Sequence, residues 1–334
     1  MKILYISCHQ VLEYDEVKLF HELGFDVFST GTYAYPHFRP GMIRPGLPEL
    51  THYPELERLA STIVSSGYAI PSELIEWADT IIFMHLPEAM EKNWEKLRHK
   101  RVIFRSIGQC VAHQERILAR LVKEGLQIVR YSPMEQELPD FAGLNATIRF
   151  YKDPSEFRGY TGENPLVINF SQSILQRQSE CHYQEINQIM SGFDAKIFGT
   201  GNENLGSMNG GQVSYEEMKR LMRESRAFIY GGTWPAPYTL SLIEAMMSGI
   251  PVVALGKKHA ELDRGLSFYE VHDIIQNGVH GFVSNDVSYL KSQVEYLINH
   301  KETAIKIGEQ GRQRAIELFG KETIKNQWES FLKG

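Results

Sequence analysis

The sequence predicts an α/β protein built from two doubly wound parallel-sheet domains. Short apolar segments of strand length alternate with helical patterns along the first half of the chain, and the same alternation starts again in the second half. A polar stretch that contains proline and glycine, residues 151–165, separates the two series. The length of 334 residues also exceeds the usual size of a single hydrophobic core, which favours two domains.

The predicted elements of the first half are short and regularly spaced. Residues 11–23, for example, carry apolar side chains at helical spacing, and Gly24 ends this helix. The predicted strands of the first half are residues 2–7, 25–29, 80–84, 101–105 and 127–130, and the other predicted helices are residues 87–98 and 113–124.

The second half repeats the alternation and then ends in helices. The predicted strands are residues 166–170, 194–198, 226–230 and 250–255, and the predicted helices are residues 180–191, 214–224, 239–248, 286–299, 301–318 and 321–332. We therefore divide the chain into an N-terminal domain of residues 1–155, a C-terminal domain of residues 163–318 and a last helical segment of residues 319–334.

The composition is ordinary for a globular protein and argues against several functional classes. Hydrophobic residues make up 43% of the chain, charged residues 23%, and the formal net charge is −6, which does not favour a nucleic-acid-binding protein. The three cysteines are far apart and form no C-x-x-C pair, so we expect neither a zinc site nor a disulfide framework. The start lacks signal-peptide features, and no apolar run reaches the roughly 18 to 20 residues of a membrane span, so we expect a cytoplasmic protein.

Two segments of the first half each allow two interpretations. Residues 35–54 contain five prolines and two glycines, and they form either an ordered loop beside a functional site or a surface excursion without a role. Residues 87–101 are basic on part of their surface, but Glu88, Glu91 and Glu95 are interleaved. This pattern predicts a solvated helix face, and contact with an anionic membrane or with nucleic acid is the alternative.

Residues 227–256 have the layout of an anion-binding site. An apolar strand leads into a turn of glycines and prolines, and a helix follows with Thr239 at its N-cap and Glu244 in its second turn. The N–H groups of Thr239, Leu240 and Ser241 would bind a phosphate, because helix N-termini carry free donors and partial positive charge. A carboxylate one turn further can accept hydrogen bonds from two ribose hydroxyls. The alternative is that Glu244 only favours the N-terminal half of its helix.

The same segment resembles retaining GT-B glycosyltransferases, in particular glycosyltransferase family 4. Residues 236–253 read A-P-Y-T-L-S-L-I-E-A-M-M-S-G-I-P-V-V, where the family has E-x-F-G-L-x-x-x-E-A-M-A-x-G-x-P-V-V. Further segments that resemble family motifs are residues 199–201 (GTG), 211–217 (GQVSYEE), 277–283 (NGVHGFV) and the tail 319–328. The resemblance implies a GT-B fold, in which two Rossmann-like domains enclose an interdomain cleft and the last helix crosses back to the N-terminal domain. It also implies an acceptor-side N-terminal domain and a C-terminal domain that binds the nucleotide sugar.

The resemblance assigns donor-binding roles and shows two departures. It implies that Gly201 lies in the donor site, that Gln212 and Val213 meet the nucleobase, and that Glu244 contacts the nucleotide ribose. The first departure is that the earlier family glutamate, which contacts the donor sugar, falls at Ala236. The second lies in the pair of basic residues that neutralise the diphosphate. The family arginine is replaced by Ser171 or Gln172, and Arg177 takes the lysine role, or else is a solvated loop arginine.

Three residues of the N-terminal half are candidates for catalysis at strand ends. His9 follows the first strand and His85 the third, and a histidine there can position an acceptor or act as a general base. Arg105 ends another strand and can bind donor phosphate or an acidic acceptor. The alternatives are histidines without a chemical role and a surface ion pair at Arg105.

Together these observations predict a hexosyltransferase of the retaining type. The donor is a UDP- or GDP-type nucleotide sugar, and the acceptor is a hydroxyl of a saccharide, a lipid-linked saccharide or another molecule. No Asp-x-Asp pair is present, which favours a metal-independent reaction that needs no cofactor beyond the donor itself. The alternatives are transfer to modified bases of nucleic acid, a degenerate GT-B domain that binds nucleotide without transfer, and a sugar-nucleotide epimerase.

Overall fold

The computed structural model of this chain describes residues 1–7, 9–30, 53–63, 66–109, 111–261 and 268–334. They form two compact units. Unit 1 consists of Met1–Phe150 together with Ile324–Gly334, and unit 2 consists of Tyr151–Thr323. Of the proline-rich segment 35–54, the residues before Tyr53 lie outside the described residues, and so do Cys8 and Cys110.

Unit 1 contains a six-stranded sheet in the order β2-β1-β3-β4-β5-β6, and every neighbouring pair is parallel. The central strands are buried on both faces, as the apolar sequence of a parallel sheet requires. The strands are β1 (Lys2–Ile6), β2 (Asp26–Ser29), β3 (Thr80–Met84), β4 (Arg101–Arg105), β5 (Gln127–Arg130) and β6 (Ala146–Thr147). The helices that the structure describes before residue 151 are α1 (Gln10–Glu22), α2 (Pro54–Ala60), α3 (Ser72–Trp77), α4 (Pro87–Leu97) and α5 (Ala112–Val122).

Unit 2 contains a second six-stranded parallel sheet, in the order β12-β11-β10-β7-β8-β9. Its strands are β7 (Asn164–Phe170), β8 (Ala195–Phe198), β9 (Asn209–Gly211), β10 (Ser225–Tyr230), β11 (Val252–Leu255) and β12 (Phe282–Ser284). Among its described residues, the helices are α6 (Gln178–Cys181), α7 (Tyr183–Met190), α8 (Tyr215–Glu224), α9 (Leu240–Ser248), α10 (Lys257–Glu261), α11 (Val271–Ile274), α12 (Val287–Asn299) and α13 (Lys301–Phe319). The prediction of two parallel-sheet α/β units is therefore confirmed.

The last helix, α14 (Lys321–Lys333), joins the core of unit 1 from Ile324 onward. Trp328 is fully buried, and its ring meets Phe20 of α1 edge-on with centroids 5.1 Å apart. Arg101 of β4 donates from its guanidinium to the carbonyl oxygens of Phe331 and Leu332, each at 2.8 Å, which fixes the helix C-terminus.

The parallel sheet of unit 2 also decides where a site can form. Because β7, β8, β10 and β11 run in one direction, their carboxyl ends lie at one edge of the sheet, where open α/β sheets bind ligands. The loops at that edge contain Ser171, Gly199, Gly231 and Gly256. Among the helices that the structure describes, none is both long and apolar enough to cross a bilayer.

Candidate functional site

At the carboxyl edge of the unit 2 sheet, the loop after β7 and the loop after β8 lie in contact at two glycines of the second loop. Gly199, after β8, has φ +139°, and a Cβ there would lie 2.5 Å from the carbonyl oxygen of Ser171. Gly201 has φ +75°, and a side chain there would collide with Ser173 Oγ. The Ser173 N–H donates to the Thr200 carbonyl oxygen at 2.8 Å, which ties the loops together. Gly199 must be glycine because it meets the backbone of Ser171, and Gly201 has a positive φ beside the Ser173 side chain, in the loop that leads to Arg177.

The third loop at this edge contains the residues predicted to meet a nucleobase. The Gly199 N–H donates to the Gly211 carbonyl oxygen at 2.9 Å, so the loops after β8 and β9 lie side by side. Gln212 is exposed and Val213 is half-buried in the connection from β9 to α8. Ser214 caps α8 by accepting the Glu217 N–H at 3.1 Å. Gly201, Gln212 and Val213 are thus brought to the same part of the sheet edge.

Thr239 occupies the N-cap of α9, but its side chain does not cap the helix. The Thr239 N–H donates to the phenolic oxygen of Tyr230 at 2.9 Å, and its hydroxyl lies 3.2 Å from that oxygen and 2.9 Å from Ser241 Oγ. Burial raises the pKa of Tyr230, so the phenol stays protonated. Of the three predicted phosphate donors, Thr239 therefore already donates to Tyr230. Leu240 and Ser241 keep first-turn N–H groups without an intrahelical partner.

Glu244 lies in the second turn of α9, and its side chain is largely buried. Its Oε1 lies 2.9 Å from Nζ of Lys152, which is itself 2% exposed. A buried carboxylate requires such a partner, because an unpaired charge in the interior costs several kcal/mol. Lys152 belongs to the polar stretch 151–165, which separates the two series of predicted elements. Its pairing with Glu244 has no signal in the sequence.

Arg177 lies at the N-cap of the short helix α6 and is about 38% exposed. Its Nε donates to Glu180 Oε2 at 3.2 Å, three residues further along the chain. A pair with this exposure opens at little cost, since exposed ion pairs contribute about 0–1 kcal/mol. The guanidinium is therefore available to an anion at the sheet edge.

A small cavity of about 10 Å³, the size of one water molecule, lies beside the β10–α9 loop. Its lining includes His182, Thr233, Trp234, Ala236 and Tyr269. Ala236 presents only a methyl group there. His182 joins α6 to α7 with φ +55°, and burial lowers the pKa of its imidazole, which favours the neutral ring. His182 lies within the predicted helix 180–191 and carries no signal in the sequence that would mark it as a site residue.

The two candidate histidines of unit 1 follow neighbouring strands. His9 is the N-cap of α1, and its Nδ1 accepts the Leu12 N–H at 3.4 Å. His85 follows β3 in the left-handed region, with φ +50°, and its N–H donates to the Arg105 carbonyl oxygen at 3.1 Å. Burial lowers the pKa of His85. Because β1 and β3 pair in parallel, both histidines lie at the same edge of the unit 1 sheet.

Arg105 is fully buried in unit 1 and forms a buried, not a surface, ion pair. Its Nε donates to Glu16 Oε1 at 2.9 Å, and a terminal nitrogen donates to the Ile148 carbonyl oxygen at 2.5 Å. The guanidinium carbon lies 4.1 Å from the ring centroid of Phe150 and 5.4 Å from that of Trp328. A ligand that contacts Arg105 would have to open this pair, because the side chain has no exposed surface.

Comparison with known proteins establishes the fold. No protein-family model matches the chain, and no curated protein matches it. Among solved structures, HepE of Anabaena in complex with UDP-glucose is 16% identical, with a TM-score of 0.68 over 100% of this chain and 99% of HepE. Sucrose-phosphate synthase of Thermosynechococcus elongatus is 14% identical, with a TM-score of 0.67 over 100% and 98% of the two chains. A glycosyltransferase from Rickettsia africae is 15% identical, with a TM-score of 0.66 over 99% and 97%.

At these identities the likeness concerns the fold of the whole chain. It confirms the GT-B class that the sequence predicts. Within the described part of the chain, no group of three or more His, Cys, Asp or Glu side chains is arranged to hold a metal ion.

Proposed function

We propose that this chain is a glycosyltransferase that transfers a hexose from a UDP- or GDP-type nucleotide sugar to an acceptor hydroxyl. The proposal combines the fold shared with HepE, which was solved with UDP-glucose, and the side chains at the carboxyl edge of the unit 2 sheet. We extend it to retention and to family 4 on the resemblance of residues 236–253 to that family's motif.

The observation that carries the proposal is the arrangement of α9. The first-turn N–H groups of Leu240 and Ser241 point out of the helix N-terminus and suit a phosphate. Glu244 follows Ser241 by three residues, about 4.5 Å along the helix axis, which suits the ribose next to that phosphate. A carboxylate accepts hydrogen bonds from both hydroxyls of a vicinal diol. One helix thereby presents complementary groups to two neighbouring parts of a nucleotide.

The same geometry suits stabilisation of a diphosphate leaving group. Charge develops on the diphosphate as the glycosidic bond breaks, and fixed donors and cations near it lower the barrier. The N-terminus of α9 supplies donors, and Arg177 can leave its exposed pair with Glu180 to supply a positive charge. Because the sequence has no Asp-x-Asp pair, we propose that this charge is stabilised without a metal ion.

We assign the acceptor to unit 1. His9 and His85 lie at one edge of its sheet, and burial lowers the pKa of His85, so its imidazole is neutral, the form that a general base requires. We propose a saccharide or lipid-linked saccharide as acceptor, a cytoplasmic location and at most peripheral membrane contact. The net charge of −6 disfavours a nucleic-acid acceptor.

The test is a transfer assay with a panel of UDP- and GDP-sugars, with and without EDTA. We expect nucleotide release from at least one donor, undiminished by EDTA, and NMR of the product should show the anomeric configuration of the donor. Release that disappears with EDTA would contradict metal independence. Absence of both nucleotide release and nucleotide binding would overturn the proposal.

A second candidate function is nucleotide binding without transfer. The observation that favours it is Ala236, which removes the carboxylate that the resemblance expects near the donor sugar. In that case calorimetry would detect UDP or GDP binding, and no donor would release nucleotide above the uncatalysed rate. Both candidate functions predict nucleotide binding, but only the glycosyltransferase predicts release of nucleotide from a donor.

A further inference from the structure

We infer that Lys152 is a positioning residue of the nucleotide site, which holds the Glu244 carboxylate in place for the ribose hydroxyls. The inference rests on the proposed function, because it assigns Glu244 to the nucleotide. It concerns a residue outside the segments that resemble family motifs. Its evidence is the ion pair, the anchoring of the Lys152 backbone and the position of the ammonium near the loop before α8.

The ion pair is almost entirely removed from solvent. Lys152 Nζ lies 2.9 Å from Glu244 Oε1, and the side chains are 2% and 7% exposed. Lysine is almost never this deeply buried unless it is paired, because its ammonium is strongly hydrated in water. The stem and ammonium of Lys152 are therefore held in one conformation, and so is the carboxylate that they contact.

The backbone of Lys152 is anchored as well as its side chain. Its N–H donates to the carbonyl oxygen of Phe319, the last residue of α13, at 3.0 Å, and Lys152 forms a parallel bridge with Gly320. Phe319 is fully buried and packs against Tyr238 with ring centroids 5.4 Å apart. Tyr238 immediately precedes the N-cap of α9. Lys152 is thus connected through Phe319 and Tyr238 to the start of α9, the helix that contains Glu244.

The ammonium also approaches the loop assigned to the nucleobase. Lys152 Nζ lies 6.0 Å from the ring centroid of Tyr215, the first residue of α8. Lys219 Nζ lies 4.8 Å from the same ring, and Phe157 packs edge-on against it at 6.4 Å. Aromatic faces attract cations at such distances. Lys152 therefore connects the carboxylate assigned to the ribose with the helix that follows the loop assigned to the base.

This arrangement predicts how Lys152 contributes to binding. An ionised carboxylate offers about four lone-pair sites, so the ammonium and a diol can be accommodated together. A carboxylate already fixed in one rotamer loses less conformational entropy when the ligand binds. Without the ammonium, the carboxylate loses the contact that holds Oε1 in this position, and it can turn away from the diol. Lys152 then acts on the nucleotide only through Glu244.

The test compares UDP with 2′-deoxy-UDP, because only UDP offers the intact diol. Calorimetry on the full chain gives the ratio of the two dissociation constants for the wild type, K152M and K152R. We expect a wild-type ratio of about tenfold or more, as for the loss of a hydrogen bond to a charged group. K152M should lower the ratio to below about threefold, and K152R should restore most of it. If K152M does not fold, K152Q takes its place with the same expectation.

The matched control is K219M, which carries the same substitution beside the same Tyr215 ring. Lys219 pairs with the exposed Glu216 and leaves the Glu244 pair intact, so the ratio should stay at the wild-type value. An unchanged ratio in folded K152M would show that Lys152 is purely structural and would overturn the inference alone. Absence of UDP and GDP binding by the wild type would overturn the proposed function, and the inference with it.

Discussion

The phenolic oxygen of Tyr230, the last residue of β10, accepts the backbone N–H of Thr239, the N-cap of α9, at 2.9 Å. The two residues are nine positions apart, so this bond closes the loop between strand and helix at its base. It fixes the direction in which α9 leaves the sheet. The Thr239 hydroxyl lies 2.9 Å from Ser241 Oγ and does not cap the helix.

Tyr230→Phe should lower the free energy of unfolding by about 1–3 kcal/mol, because it leaves the partly buried Thr239 N–H without its acceptor. UDP affinity should fall as well, since the N-terminus of α9 is no longer held. Urea denaturation and calorimetry measure the two effects. Tyr160→Phe is the control: it removes a longer hydrogen bond, to the Arg226 carbonyl oxygen at 3.4 Å, and should leave UDP affinity unchanged.

Glu244→Gln should weaken UDP binding by about 1.5–3 kcal/mol, the usual loss for hydrogen bonds to a charged group. It should also lower the free energy of unfolding by about 3–5 kcal/mol, because Lys152 loses its buried partner. Calorimetry and urea denaturation separate the effects. Glu217→Gln changes a more exposed carboxylate that pairs with Arg220, so both quantities should stay near wild type. Wild-type UDP affinity in folded Glu244→Gln would refute the assignment of Glu244.

Arg105→Met should destabilise unit 1 by about 3–5 kcal/mol, since it leaves the buried Glu16 carboxylate without its cation. The double variant Arg105→Met, Glu16→Gln should recover part of that loss, because neither charge then remains. Thermal unfolding gives the comparison. A single variant of wild-type stability that had lost transfer activity would instead favour the predicted role of Arg105 in binding phosphate or an acidic acceptor.

His9→Asn separates the helix-capping and the catalytic roles of His9. Asparagine is a strong N-cap residue, so the substitution preserves the bond to the Leu12 N–H while removing the imidazole. If His9 is the base, kcat should fall by about 10²–10⁴ with unchanged unfolding. His9→Ala, in contrast, should also cost about 0.5–2 kcal/mol of stability. Full activity in His9→Asn would leave His85 as the candidate base.

Stability should depend on pH through His182. Burial lowers the pKa of His182 in the folded state, with a smaller lowering from His259 and an opposing effect of Glu185. The unfolded chain, with a histidine pKa of about 6.5, therefore binds the proton more readily. The contribution of His182 to the free energy of unfolding should be fully present well above pH 6.5. It should be lost as the pH falls from about 6.5 towards the lower pKa of the folded state. His182→Asn, which tolerates φ +55°, should reduce this slope in denaturation measured from pH 7.5 to 5. His85 and His280, whose pKa values are also lowered, should leave a residual slope.

The central strands are the part of the fold that the sequence predicts best. β3, β4 and β5 begin and end at the predicted residues, because each has two or more consecutive β-branched or aromatic residues at its centre and lies between polar turns. The predicted helix 180–191 is instead two helices, since His182 adopts a left-handed conformation that a non-glycine residue does not signal. The short edge strands β6 and β9 lack an apolar run, so the sequence does not predict them.

The candidate site is predictable only where its residues are close in the chain. Thr239 and Glu244 stand five residues apart, so helix periodicity alone relates them. The Lys152–Glu244 pair joins residues from distant segments, and the lysine lies in a polar stretch typical of a linker. Arg105 similarly ends a strand, where a charged residue is expected at the surface, and only the tertiary fold brings Glu16 and Trp328 around it.

The burial of Trp328 in unit 1 has a consequence for protein synthesis. The ribosome makes residues 1–150 first, but the tryptophan that fills their core emerges only after all of unit 2. Unit 2 is continuous in sequence and has its complete set of strands before then. Unit 1 therefore lacks one side chain of its core until all of unit 2 has been synthesised, whereas domains generally fold in the order in which they are made.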